Sequence, residues 1–210
     1  MINNDIPLIF EACVESLEEA ISAEKRGANR IELCSDLAQD GLTPSKDLTM
    51  SCLEHLSIPI MAMVRPRGGN FVYSEAEIRQ MESEIEFFKQ VGVSGVVFGL
   101  LTTENQIDIV NTTMLAKLAM PLQITFHKAI DYSSDVYKSF QTLNSISGLT
   151  RILTSGGMET AWDGRHALKS MVDFPERQIK IIAAGKVLPG NRYRIAEFTG
   201  VSELHGKRIV

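Results

Sequence analysis

The chain has no excess of positive charge. Its 21 Lys and Arg stand against 26 Asp and Glu, and they are spread along its length, which excludes the basic stripe that a nucleic-acid backbone or an anionic membrane surface requires. The expected partner is small. No apolar run approaches the length of a membrane span, and the opening MINNDIPLIF lacks the basic start and long apolar stretch of a signal peptide. A cytoplasmic protein is expected. Cysteine is scarce and odd in number, with only Cys13, Cys34 and Cys52, so a disulfide framework is excluded and free thiols are the default of a reducing compartment. Linkers, low-complexity tracts and charge blocks are also missing, and residues 1–210 read as a single domain.

What is present is a regular alternation. The short apolar runs LIFEAC, RIELC, PIMAMV, GVVFG, LQITFH, RILTS, KIIAAG and SELH are separated by segments of helical period such as SLEEAISAEKRG and SEAEIRQMESEIEFFKQVG. Ser74 with Glu77 has the spacing of a capping box, and Gly27 and Gly92 stand where helices end on glycine. Strand alternating with helix implies parallel strands joined by right-handed crossovers, and eight such units are the inventory of a (β/α)8 TIM-type barrel. The rival is an open doubly wound sheet, and it lacks its glycine fingerprint, because EACVES after the first run contains no glycine. The last helix is missing from the pattern: only GKRIV follows the eighth run. The wall between strands eight and one is expected to be covered by self-association, as a homo-oligomer, or by a displaced neighbouring segment.

Chemistry in such a barrel sits at the carboxyl ends of the strands. The sequence places there Glu11 and Cys13, Glu32 and Cys34, Arg65 and Arg67, Thr125 and His127, Thr154 and Ser155, and Glu203 and His205. Members of each Glu–Cys, Thr–His and Glu–His pair share the parity of their strand and point the same way. Packing alone does not call for so many polar groups, although Arg30 shares the face of Glu32 and forms an ion pair with it or with Glu11 in the simplest structural reading. Arg65, Arg67 and the TSGG turn, with Ser155, Gly156 and Gly157, are candidate anion-binding groups; glycines at such a turn have a purely steric reading as well. Cys52 lies in the apolar stripe of the second helix, and His55 and His166 fall on helices far from the strand ends.

The segments EACVESLEEA, GANRIELCSDLAQDGLTPS, MVRPRGGNFVYS, GVVFGLLT, ITFHKAID and RILTSGG together resemble the CutC family of copper homeostasis proteins. That resemblance implies a (β/α)8 barrel, a cytoplasmic protein and a role in handling copper. It also implies a metal site for Cu(I), whose proposed ligands map onto Cys13 and Cys34. Soft thiolates suit Cu(I), and adjacent strands about 4.8 Å apart bring two sulfurs within bridging range. The sequence departs from the family pattern at Lys128, where an arginine is usual, at AAGKV and at ELHGKRI. Two functions follow from this sequence. One is copper binding and homeostasis through Cys13 and Cys34. The alternative is a TIM-barrel enzyme of unassigned reaction, in which Arg65 and the TSGG turn hold a small anionic metabolite while Glu11, Glu32 and His127 act as acid-base groups, supported by His205.

Overall fold

A computed structural model describes residues 7–210. Its eight strands are β1 (Ile9–Val14), β2 (Arg30–Leu33), β3 (Ile60–Met63), β4 (Gly95–Phe98), β5 (Gln123–Phe126), β6 (Arg151–Thr154), β7 (Lys180–Ala183) and β8 (Glu203–Gly206). All are parallel, and pairing of β1 with β8 closes the barrel. Among the described residues seven α-helices alternate with them: α1 (Leu17–Lys25), α2 (Lys46–His55), α3 (Glu75–Val91), α4 (Ile109–Ala119), α5 (Val136–Asn144), α6 (Arg165–Val172) and α7 (Arg192–Thr199).

Local chemistry sets the helix boundaries. Ser16, Ser45 and Ser74 each accept a backbone N–H of the first turn, and Asp108 and Asp135 do the same for α4 and α5. Ser74 and Glu77 complete the reciprocal capping box. Gly92 ends α3 in the left-handed region, with φ 82°, a conformation that residues with a Cβ adopt at a cost. One helix is shorter than its sequence pattern: METAWDGRHALKSMV becomes helical only from Arg165. At Gly164 a side chain would collide with the backbone carbonyl of Ser155, so the preceding residues form a loop that wraps the β6 turn.

Strand alternation divides the barrel into two interiors. Ile31, Leu33, Ala62, Val96, Phe98, Ile124, Phe126 and Ile152 face outward and join the large core with Ile85 and Phe88 of α3, Leu115 of α4, Phe140 of α5 and Leu168 of α6. Inside the barrel, Cys13, Cys34, Met61, Met63 and Val97 form one small cluster and Leu153, Ile182 and Ala184 another. Strands with both faces buried are what an all-parallel barrel requires.

The wall between β8 and β1 is covered by a neighbouring segment of this chain. Ala12, Val14 and Leu204 are buried, and Ile209 joins the same apolar core. The Arg192 guanidinium donates to the Ile209 carbonyl at 2.6 Å and lies 4.0 Å from the centre of the Phe10 ring. The last residues and the start of α7 thus occupy the position expected of a closing helix.

Candidate functional site

Register explains how the polar residues separate into two levels. Arg30, Gln123, Arg151, Lys180 and Glu203 are all first residues of their strands, so they lie at the amino end of the barrel. Glu203 accepts from Arg30 at 2.6 Å and from Arg151 at 2.8 Å, and Lys180 lies 3.2 Å away. Arg30 also donates to Glu11. These contacts correct the expectation for Glu203, which belongs to a buried ion layer at the far end from the mouth. They also settle the partner of Arg30, which is Glu11 and not Glu32.

Glu11 stands one level above that layer, 1% exposed, with Arg30 below and His205 Nδ1 at 2.9 Å above. Burial raises its pKa, but the charge of Arg30 and the bond to His205 outweigh that and hold it at about 2. The expectation of Glu11 as an acid-base group at the mouth is corrected: both of its oxygens are held by basic partners, and it does not reach the cavity.

At the carboxyl end a cavity of about 290 Å³ opens, with Cys13, Glu32, Arg65, Phe71, His127 and His205 in its wall. Cys13 pairs with Glu32 in the β1–β2 ladder, which sets the thiol beside the carboxylate. Cys13 Sγ lies 3.9 Å from Cys34 Sγ, and Cys34 Sγ lies 3.7 Å from Glu32. His205 Nε2 is 3.7 Å from Glu32. Cys13, Glu32 and His205 each offer one ligand atom, all within 4.8 Å of one another. Cys34 is fully buried behind Cys13, and Cys52 sits in the outer core.

Hydrogen bonding from Cys34 to its sulfur lowers the Cys13 thiol to about 5 against the opposing effect of burial, and His205 adds to the lowering. Cys34, as the partner in that bond and itself desolvated, is pushed well up. Burial pushes the Glu32 carboxyl well above its ordinary range, and burial pulls His205 down while the negative groups around it raise it further. The second Glu32 oxygen has no hydrogen-bond partner among the described residues.

The other wall is built by β3, β5 and their loops. Arg65 is 3% exposed, donates to the carbonyls of Gln39 at 2.7 Å, Gly41 at 3.2 Å and Gly69 at 3.2 Å, and stacks 4.9 Å from the Phe71 ring centre. His127 packs on the same ring, with centroids 5.1 Å apart. Burial and the Arg65 charge lower its pKa to about 3, so the ring is neutral.

Two groups of expected anion ligands have other work. Arg67 donates to Glu77 at 2.6 Å and to the carbonyls of Gly68, Asn70 and Val72, bracing its own loop away from the cavity. In the TSGG turn, the N–H groups of Ser155 and Gly157 donate to the Asp131 carboxylate at 2.9 Å each, and Gly156 N–H donates to Thr154. Ser155, Gly156 and Gly157 therefore already hold an anion, and it is a side chain of this protein. Asp131, unassigned by sequence reasoning, organises this turn, and Lys128 adds bonds to Asp131 at 2.6 Å and Ser155 at 2.8 Å. Its place in ITFHKAID, beside a lysine and after a strand, was the available signal.

The profile of the CutC family matches residues 8–210. This chain belongs to the CutC family. A family protein CutC of Histophilus somni is 40% identical over 196 residues, covering 93% of this chain and 80% of that protein. The copper homeostasis protein cutC homolog of Mus musculus is 39% identical over 197 residues, 94% of this chain and 72% of the relative. A crystal structure of CutC from Streptococcus agalactiae superposes with a TM-score of 0.91 at 34% identity, covering 97% of this chain and all of that one. The CutC barrel is thus the fold of this chain.

Proposed function

We propose that this CutC protein binds Cu(I) through Cys13 and Cys34 and serves copper homeostasis in the cytoplasm. One observation carries the reading: two free thiols on adjacent strands face each other, sulfur to sulfur, at 3.9 Å. A thiolate–metal bond is about 2.3 Å long, so two sulfurs on one ion stand at most about 4.6 Å apart. A small outward rotation of either side chain spans the difference. Monovalent copper prefers soft sulfur donors, and Cys13 is already disposed to lose its proton.

The surroundings fit a cargo ion that arrives and leaves. Cys13 lines the cavity while Cys34 is sealed behind it, so an ion entering from the mouth meets Cys13 first. Binding releases thiol protons, so affinity for the ion is expected to rise with pH. The relatives that carry the name copper homeostasis protein support this assignment, and no described helix is long and apolar enough to cross a membrane.

An anaerobic Cu(I) titration against a competing chelator tests the site. Affinity is expected to fall at least about tenfold in the Cys13→Ala, Cys34→Ala double variant, while Cys52→Ala matches the unaltered protein. Equal affinity in all three proteins removes the copper site.

A further inference from the structure

The barrel mouth contains a fixed positive charge that nothing in the copper reading uses. Four basic side chains line the cavity besides the histidines: Arg65, Lys128, Lys186 and Lys207. Three of them are matched by a carboxylate, Lys128 by Asp131, Lys186 by Glu159 and Lys207 by Glu15. Arg65 forms no ion pair among the described residues, although it is the most deeply buried of the four. Its Nη groups are satisfied by neutral carbonyls, and its Nε has no acceptor. A guanidinium stays charged at any ordinary pH, and a buried charge is normally paired. The missing element is an anion.

His127 stands beside this charge with a defined donor. Its Nδ1 accepts the Ala129 N–H at 3.2 Å, which places the ring proton of the neutral imidazole on Nε2. That Nε2 is buried and has no acceptor among the described residues. Arg65 and His127 pack on one Phe71 ring and border one cavity. The wall also carries the apolar Met63, Tyr132 and Leu153, and the carboxylate of Asp40, which is not bonded to Arg65.

We propose that the cavity binds a short carboxylate carrying an oxygen on its second carbon, a 2-oxo or 2-hydroxy acid, with its negative charge matched to Arg65 and its neighbouring oxygen accepting from His127. Size limits the ligand: about 290 Å³ is at the lower end of metabolite pockets and holds on the order of ten water volumes. Charge limits it too. A phosphate calls for several donors, and the amide groups that would supply them in the TSGG turn are taken by Asp131. One unmatched arginine suits one carboxylate. Arg65 follows β3 and His127 follows β5, and neither is among the proposed copper ligands.

Calorimetric titration of the metal-free protein with lactate, pyruvate, lactamide and inorganic phosphate tests the assignment. Lactate or pyruvate is expected to bind at millimolar concentration or tighter, and lactamide, which is uncharged, at least about tenfold more weakly, the loss of one charge-assisted bond. Arg65→Gln and His127→Phe are expected to lose about tenfold or more in carboxylate affinity, and Lys186→Gln to retain it. Should either cavity variant fail to fold, the side-chain nitrogen resonances of Arg65 and His127 in the unaltered protein give the same answer, because both must shift on adding lactate or pyruvate. Binding that leaves both resonances in place overturns the proposal. So do equal affinity for lactamide, preference for phosphate, and absence of carboxylate binding at millimolar concentration.

Discussion

Replacing Glu203 by alanine should destabilise the barrel from within, at a distance from the mouth. Glu203 is 1% exposed and accepts from both Arg30 and Arg151; removing it leaves positive charge where water does not reach. Breaking one partner out of a buried ion pair costs about 3–5 kcal/mol. The lower figure applies, because Arg30 keeps Glu11 and Arg151 keeps the Gln123 side-chain oxygen at 2.6 Å. Lys180, 59% exposed, turns to solvent and adds little. A loss of about 3 kcal/mol is a large share of the roughly 5–15 kcal/mol that stabilises a domain. In a chain of this size it lowers Tm by about 6–12 °C. Urea unfolding followed by circular dichroism should show the midpoint shift at constant m. The double variant Arg151→Leu, Glu203→Leu should lose less than Glu203→Ala, since it removes a cation with the anion and Arg30 remains neutralised by Glu11. A Glu203→Ala protein within about 1 kcal/mol of the original, or a double variant worse than the single, would refute this account of the layer.

Two further outcomes follow from the same electrostatics. Glu11, at about 2, and Glu203, also lowered, ionise more readily in the folded chain than in the unfolded one; their contribution to stability is complete above the ordinary carboxylate range and is lost as pH falls through it toward about 2. Urea midpoints across that range should decline less steeply for Glu11→Gln, Glu203→Gln, and an identical acid limb in the variant contradicts the assignment. Cys13, lowered to about 5, should be alkylated by iodoacetamide at a rate nearly constant between about pH 6 and 8, whereas Cys52, pushed to about 11 by burial, should stay unmodified. Peptide mass mapping separates the two, and a Cys13 rate that climbs tenfold per pH unit through that range would show an ordinary thiol.

The barrel was legible because alternation in the sequence is dictated by backbone periodicity, and RIELC, PIMAMV and GVVFG each became a strand with apolar residues outward. The polar residues inside were legible as a set but not by depth. Parity told that Glu11, Glu32, Glu203 and His205 face the interior; which level each occupies depends on register around a closed barrel, which no local pattern encodes. Glu203 opens its strand while Glu32 nearly ends its own, so two glutamates of similar sequence setting occupy opposite ends. The TSGG turn failed for a related reason. Its amides do hold an anion, but the anion is Asp131, twenty-odd residues earlier in the chain, and only the β5–β6 adjacency brings them together. Closure of the β8–β1 wall depended likewise on Ile209 and Arg192, whose roles appear only in three dimensions.

Glu11 joins the two levels of the interior and assigns them different work. Below it, Arg30 links Glu11 to Glu203, and charges of opposite sign nearly balance. Above it, Glu11 fixes His205 at 2.9 Å, and His205 in turn stands within reach of Glu32 and Cys13. A histidine tethered through Nδ1 presents Nε2 in one orientation, as a carboxylate behind an imidazole does in metal and acid-base sites alike. The ion layer is therefore more than filling for the barrel: through Arg30 it places the carboxylate that orients His205. Arg65, after β3, has no carboxylate partner among the described residues, and its charge rests on backbone carbonyls. The polar groups around the thiols are paired with one another, whereas Arg65 has no ion-pair partner among the described residues. That difference in pairing is the ground for proposing a metal at the thiols and an anion at Arg65.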